Sequence, residues 1–148
     1  MSAGAPAAAA AVTAARDRLA SRAFEVAVAA DPSLRERHDQ DALRRLLADT
    51  GTLIDNVARS IASGDPLLTR AWADVAVPVY RRHAVPMDDL VTIARAIRSV
   101  LDSVLPPGAV EHSHAALDGA VEVFRWLRRL GGDARRRNRL LAFIYKGA

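Results

Sequence analysis

Apolar residues recur at helical spacing along most of this chain. The longest such series runs from residue 41 to residue 62, at steps of three, four and seven (Leu43, Leu46, Leu47, Ile54, Val57, Ala58 and Ile61). Ser63-Gly64-Asp65-Pro66 follows it. Glycine suits a helix C-terminal cap and proline suits the first turn of the next helix. The pattern therefore predicts a helix of about six turns that ends in a sharp corner.

Weaker apolar series predict the remaining helices. Residues 1–12 are expected to form a flexible, alanine-rich tail or a frayed helical start, and residues 13–148 a single helical domain. Pro78 is expected to end or kink its helix, and Gly131-Gly132 is expected to separate the last, basic helix from the one before it. The predicted helices span 13–30 (capped by Thr13), 34–40 as a short polar link, 41–62, 66–76, 87–105, 113–130 and a basic segment from residue 133.

Composition narrows the class of protein. Alanine, leucine, arginine and aspartate dominate and runs of β-branched residues are missing, which is typical of an all-α domain. The chain contains no cysteine, so disulfides, thiolate catalysis and thioether-linked cofactors are excluded. It contains no apolar run of about 18 residues, and its alanine-rich start lacks the basic region of a signal peptide. A bacterial-type cytoplasmic protein that does not enter the membrane is therefore expected.

The net charge of +4 is unevenly distributed, because basic residues cluster from Arg125 to Lys146. Such a cluster is either a solvated helix face or a surface for an anionic ligand, an acidic partner or nucleic acid. Nucleic acid is the least favoured partner, because no helix-turn-helix spacing, zinc-ligand pattern or basic strand with aromatic residues accompanies the cluster.

Candidate catalytic groups are few. His112 and His114, with Glu111, could form a metal site, but their spacing directs them to different helix faces. His38 lies in a run of charges and is expected to be exposed, and Asp89 is interpreted with Asp88 as a helix-start charge. No nucleophile motif or phosphate-binding loop is present, so the chain is not expected to be an enzyme.

Residues 45–105 resemble the globin superfamily, most closely the phycobiliproteins and their non-photosynthetic relatives. Arg45 stands at the basic position before the bilin-linking cysteine, Leu46 at the cysteine, and Asp49 at the aspartate that binds pyrrole nitrogens. Ser60-Ile61-Ala62-Ser63-Gly64-Asp65 resembles the family's helix ending, and Tyr80-Arg81-Arg82-His83-Ala84-Val85-Pro86 resembles its next corner.

This resemblance implies an all-α, globin-like domain of six to seven helices that binds a tetrapyrrole without catalysis. Leu46 excludes covalent attachment, so a biliverdin-type bilin would bind non-covalently, with heme as the second choice. Asp49 would bind the pyrrole N–H groups, and Arg45 together with Arg81 or Arg82 would meet the propionates. Trp72 and Tyr80 would line the pocket. His83 is the only plausible heme ligand, since the proximal position of heme globins falls near Val79.

A weaker resemblance, to the heme-free globin domains of stressosome-type regulators, implies a different function. Here Leu46, Leu53, Trp72 and Phe124 would fill the cleft, and the chain would act through protein–protein contacts, with a homodimer expected. The size of the cleft beside Asp49 and Tyr80 discriminates between the two hypotheses. A cofactor needs an open cleft of several hundred Å³, and a filled cleft favours a regulatory module.

Overall fold

A computed structural model describes residues 4–137 of the chain, and the side chains of residues 4–127. Over this range the secondary structure is entirely helical, as the composition predicts. No helix among these residues is both long and apolar enough to cross a membrane. The helices are α1 (Pro6–Ala14), α2 (Arg16–Ala30), α3 (Leu34–Arg37), α4 (Gln40–Ser63), α5 (Leu67–Arg82), α6 (Met87–Asp102) and α7 (Pro107–Arg137).

Helix α4 is the central helix. It confirms the helix predicted over residues 41–62, and both of its ends agree with that prediction within two residues. The Asp39 carboxylate accepts a hydrogen bond from the backbone N–H of Ala42 at 2.8 Å and so caps its first turn. At the other end Gly64 adopts φ 75°, in the left-handed region, and its N–H bonds to the carbonyl of Ser60. The buried face of α4 packs against α1, α2, α5 and α7, so this helix organises the core.

The N-terminal helix starts earlier than the sequence predicts. Helix α1 begins at Pro6, so that residues 6–12 are helical and lie against α4 instead of forming a flexible tail. Ala9 and Val12 are buried there, and the N–H of Ala5 bonds to the carbonyl of Ile61 at 2.7 Å. A Cβ atom on Gly4 would lie only 2.0 Å from the carbonyl oxygen of Ala62. Small residues therefore allow the start of α1 to approach the end of α4 closely. A search for large apolar side chains does not detect this contact.

Pro78 does not break its helix. Helix α5 continues through it to Arg82, so the prediction of a helix that ends at residue 76 is wrong. A proline removes one hydrogen bond to the carbonyl four residues earlier, here that of Asp74. Both Pro78 and Asp74 are exposed, so water can bond to that carbonyl. The proline therefore disturbs only the solvent side of α5.

The predicted helix break at Gly131-Gly132 is also wrong. Helix α7 runs from Pro107 through Gly131 and Gly132 to Arg137, so no break separates residues 133–137 from it. One glycine in a helix interior costs only about 1 kcal/mol, which a long flanking helix can tolerate. The rest of the predicted basic C-terminal helix, including Leu140–Tyr145, lies outside the described residues.

The corner between α5 and α6 has a strained residue. Ala84 adopts φ 57°, in the left-handed backbone region that residues other than glycine rarely occupy. The N–H of Val85 bonds back to the carbonyl of Tyr80 at 2.9 Å, which closes the end of α5. This corner fixes the position of Tyr80 relative to α4 and α6.

Candidate functional site

The predicted tetrapyrrole cleft corresponds to a space enclosed by α4, α5, α6 and α7, here called the inner cleft. Asp49, Trp72 and Tyr80, all predicted site residues, lie together in its wall. Leu46, at the position that resembles the bilin-linking cysteine, is buried and also faces this space. The complete lining is Leu46, Asp49, Thr50, Leu53, Trp72, Tyr80, Leu90, Ile93 and Phe124.

Asp49 and Tyr80, two of the polar residues of the inner cleft, bind each other. The Tyr80 hydroxyl donates a hydrogen bond to Oδ2 of Asp49 at 2.7 Å, and Tyr80 is buried. Burial raises the pKa of Tyr80 well above its ordinary value, and the neighbouring Asp49 carboxylate raises that pKa further, because both disfavour the tyrosinate. Tyr80 is therefore a neutral donor, and the bond occupies one of the two carboxylate oxygens of Asp49.

Side chains fill the remainder of the inner cleft. Trp72 meets Phe124 edge to face, with ring centroids 6.4 Å apart and an interplanar angle of 85°. The free volume is about 10 Å³. That space is about the size of one water molecule, whereas small-molecule sites occupy roughly 300–1,000 Å³. In this conformation the inner cleft does not accommodate a bilin or a heme.

The other predicted ligand-binding residues lie outside the inner cleft. Arg45, Arg82 and His83 are exposed, and none belongs to its lining. Val79, at the position that resembles the proximal histidine of heme globins, is exposed on α5 and does not line the cleft. His83 follows the last residue of α5, at the corner. The structure therefore brings together the residues predicted to line the pocket, but not those predicted to hold propionates or iron.

A larger space lies on the surface between α5 and α7, here called the outer groove. Its volume is about 410 Å³, and Trp126 of α7, with 59% of its surface exposed, stands at its side. Arg70 and Glu122 form an ion pair across it at 3.5 Å. The lining consists of Arg70, Asp74, Val77, Pro78, Arg81, Glu122, Val123, Trp126 and Leu127. The outer groove therefore combines apolar side chains with charges of both signs.

A third space, here called the arginine groove, lies between α6 and α7. Its volume is about 270 Å³. Arg98 crosses it and donates to Asp118 at 3.0 Å, while its second nitrogen lies 3.3 Å from Nδ1 of His114. The lining consists of Ala94, Arg95, Arg98, Leu117, Asp118, Val121 and Arg125. Three arginines face one carboxylate, so this groove is basic.

A buried polar cluster joins α3 to the start of α6, and the sequence prediction missed it. The Asp89 side chain, 2% exposed, accepts hydrogen bonds from Arg37 at 2.6 Å and from Nε2 of His38 at 2.7 Å. His38 is 7% exposed, so its predicted exposure is wrong. The burial of Asp89 could have been predicted from its position. Asp89 stands four residues before Ile93 and therefore lies on the apolar face of α6, unlike Asp88. Since both carboxylate oxygens of Asp89 are paired, the cluster is a structural link.

The histidines near the start of α7 do not form the metal site considered from the sequence. Nε2 of His114 bonds to Asp102 at 2.6 Å, and its Nδ1 lies beside Arg98. Within residues 4–127, where side chains are described, no group of three histidine, aspartate or glutamate side chains could hold a metal ion.

Comparisons with known proteins leave the family open. The chain matches no protein-family model, no curated protein and no solved structure. The resemblance to globins therefore depends on the sequence of the two corners around α5 alone, and the function has to be argued from the grooves and the inner cleft described above.

Proposed function

We propose that this chain is a globin-like regulatory module with a closed interior, which acts through protein–protein contacts and forms a homodimer through the outer groove. The observation that carries the proposal is the exposed Trp126 beside a groove of about 410 Å³, while the inner cleft has only about 10 Å³ of free space. The surface, and not the interior, offers room for a partner.

One exposed aromatic side chain, Trp126, stands at the outer groove. Among the described residues, the large hydrophobic side chains that are exposed are Leu67, Val75, Val79, Val104 and Trp126. Three of these belong to α5, but none of the three lines the outer groove, whereas Trp126 of α7 does. Tryptophan is enriched among the residues that contribute most to binding, so Trp126 is the apolar anchor that the outer groove offers. Val104 lies in the connection between α6 and α7.

The charges of the outer groove favour a second copy of the chain as the partner. Asp74 and Arg81 stand seven residues apart on α5, about 10 Å along the helix axis, and both are exposed. A two-fold axis that crosses α5 near Pro78 would place each Asp74 opposite the other copy's Arg81. A surface that carries both signs in this arrangement is self-complementary, as an isologous dimer requires. Arg70 and Glu122 add a second pair of opposite charges at the same groove.

The globin-like part of the proposal is supported by the two corners. Gly64 in the left-handed conformation ends α4, and the Tyr80–Pro86 corner ends α5, at the positions where the sequence resembles the globin superfamily. The heme-free sensor domains that share part of this pattern use their surfaces for dimerisation. A filled interior is consistent with that mode of action.

Sedimentation velocity at increasing protein concentration tests the proposal. The wild-type chain is expected to dimerise at micromolar concentration, and Trp126→Glu is expected to weaken the dimer by about 30-fold, as for a central interface residue worth about 2 kcal/mol. Val104→Glu is the matched control, because it places the same charge on an exposed apolar residue away from the groove. A wild-type monomer, or a dimer that Trp126→Glu leaves intact, would refute the proposal.

A second candidate function is non-covalent tetrapyrrole binding, with a bilin favoured over heme. The observation in its favour is that Asp49, Trp72 and Tyr80 lie together in one cleft. Binding would require the Tyr80–Asp49 bond to break and Trp72 or Phe124 to move. Absorbance titrations with biliverdin and with hemin test it. An intensified, red-shifted bilin band that Asp49→Ala weakens would support this candidate, and flat titrations with both compounds would eliminate it.

A further inference from the structure

Helix α5 presents an exposed row of side chains, here called the α5 seam. Its members are Leu67, Ala71, Val75, Pro78 and Arg82, and all five are exposed. Leu67 and Val75 have 62% and 76% of their surfaces open to solvent, so the apolar surface of the seam is accessible. The members follow one another at steps of three and four residues, which is the spacing of residues at the contact between two packed helices. The α5 seam is therefore suited to packing against another helix.

The α5 seam adjoins the outer groove. Pro78 belongs to both surfaces, and Asp74, one helical turn before Pro78, lines the groove. A homodimer that buries the outer groove about a two-fold axis near Pro78 therefore brings the two α5 seams together as well. Val75, within one turn of Pro78, is then covered, although it does not line the outer groove.

The charges beside the α5 seam favour a second copy of the chain and set its direction. Asp74 and Arg81 stand on either side of Pro78, about 6 Å and about 5 Å from it along the helix axis. Neither side chain forms an ion pair or a hydrogen bond with another of residues 4–127. In an antiparallel pair of α5 helices each Asp74 faces the other copy's Arg81, whereas a parallel pair would bring like charges together. The antiparallel pair is the one that a two-fold axis across α5 produces.

Pro78 adds a backbone acceptor beside the Asp74 carboxylate. Because proline has no N–H, the carbonyl oxygen of Asp74 loses its helical hydrogen-bond donor, and both residues are exposed. An arginine carries five N–H donors in a planar fork and can bond to two neighbouring acceptors at once. Arg81 of a second copy therefore meets two acceptors at Asp74, a carboxylate and a free carbonyl.

We propose that the α5 seam packs antiparallel against the α5 seam of a second copy, with Pro78 at the two-fold axis. This helix pair is the centre of the homodimer proposed above, on which it depends, and its apolar side chains complete the contact that the outer groove begins. Ala71, Val75 and Pro78 are small enough for the two helix axes to approach to about 8–10 Å. At that distance facing Cα atoms lie roughly 4–6 Å apart, since the Cα atoms of a helix lie on a cylinder of radius about 2.3 Å.

Cysteine cross-linking tests the helix pair, because the chain has no cysteine of its own. Pro78→Cys is expected to form a disulfide-linked dimer under mild oxidation, since facing Cα atoms in the helix pair lie within the distance that a disulfide spans. Leu67→Cys is the matched control on the same seam. In the antiparallel pair the two copies of residue 67 are about 30 Å apart, so this variant should run as a monomer on a non-reducing gel. Val75→Glu, at an exposed position, should weaken the dimer about tenfold in sedimentation velocity.

The results distinguish the helix pair from the outer groove. A dimer that Trp126→Glu weakens, but that gives no disulfide with Pro78→Cys, would overturn the helix pair and leave the outer-groove dimer standing. A disulfide with Pro78→Cys in a dimer that Trp126→Glu leaves intact would do the reverse. A disulfide with Leu67→Cys would indicate a parallel pair, and an unchanged affinity in Val75→Glu would place the seam outside the interface; either result would overturn the helix pair. A wild-type monomer would overturn both proposals.

Discussion

Replacement of Asp89 by alanine is expected to be among the most destabilising single changes at a polar residue. The side chain lies at the start of α6 and accepts hydrogen bonds from Arg37 and His38, which arrive from α3 and the residue after it. Asp89→Ala leaves the His38 nitrogen, itself almost fully buried, without an acceptor. An unpaired buried polar group loses its hydration without compensation.

The magnitude follows from the exposure of each partner. A hydrogen bond to a charged group contributes about 1.5–3 kcal/mol when it is buried. The bond from His38 qualifies, so we assign it about 2 kcal/mol. The Arg37 side chain is 36% exposed, so solvent screening reduces the share of its hydrogen bond to about 1 kcal/mol. The total loss in free energy of unfolding is about 3 kcal/mol, or roughly 6–12 °C in melting temperature for a chain of this size.

Urea denaturation followed by circular dichroism at the helical band measures this loss. Asp88→Ala is the matched control, because Asp88 occupies the neighbouring first-turn position but is exposed. The control should lose no more than about 1 kcal/mol, the usual contribution of a surface charge near a helix N-terminus. The reasoning fails if Asp89→Ala remains within 1 kcal/mol of the wild type, or if both variants lose the same amount.

Three further substitutions test separate features. Gly51→Ala would place a Cβ atom 2.8 Å from Cζ of Arg16 and push the guanidinium from Asp55, which it contacts at 2.7 Å; this loss should cancel the gain of about 1 kcal/mol that alanine brings to a helix interior, and the full gain in urea denaturation would show that the contact is loose. Ala84→Gly relieves the left-handed strain and should raise stability by about 0.5–1 kcal/mol, whereas a decrease would contradict that strain. Tyr80→Phe should cost about 1 kcal/mol through the lost bond to Asp49. Because the pKa of Tyr80 is raised on folding, this tyrosine stabilises the fold fully below a pH of about 10 and progressively less above it. The difference in free energy of unfolding between the wild type and Tyr80→Phe should therefore shrink in alkali. A difference that does not change with pH would refute the raised pKa.

The elements that dominate the fold could be predicted from local patterns. Helix α4 has a strong apolar face and standard signals at its end, with Gly64 as cap, so its prediction is confirmed almost to the residue. The buried face of α6, from Leu90 to Leu101, is confirmed for the same reason. These segments need no tertiary information, because periodicity and capping both depend on neighbours in the sequence.

The errors occur where the rest of a helix, or a neighbouring helix, outweighs one local signal. Pro78 and the Gly131-Gly132 pair are helix breakers by propensity, yet α5 and α7 continue through them. Helix α1 has a nearly uniform alanine composition without an amphipathic stripe, and it is helical against the surface of α4. Propensity and periodicity do not report what a neighbouring helix can bury.

The candidate site was partly predictable. The resemblance predicts that Asp49, Trp72 and Tyr80 share one cleft, and they do. Whether that cleft is open depends on the direction of Phe124 and Trp72 and on the bond between Tyr80 and Asp49, which no spacing in the sequence determines. The exposure of Trp126 was not predicted either, since its helical position adjoins the buried Val123 and Phe124.

The most direct test of the central claim uses Trp126 itself as the reporter. Trp72→Phe removes the other tryptophan and keeps an aromatic ring against Phe124, so that all tryptophan emission then comes from Trp126. If the chain dimerises through the outer groove, dilution from micromolar to nanomolar concentration should shift this emission to longer wavelength as water reaches the indole, in step with the loss of dimer mass in sedimentation. An emission that stays constant while the dimer dissociates would place the interface elsewhere and contradict the proposed function.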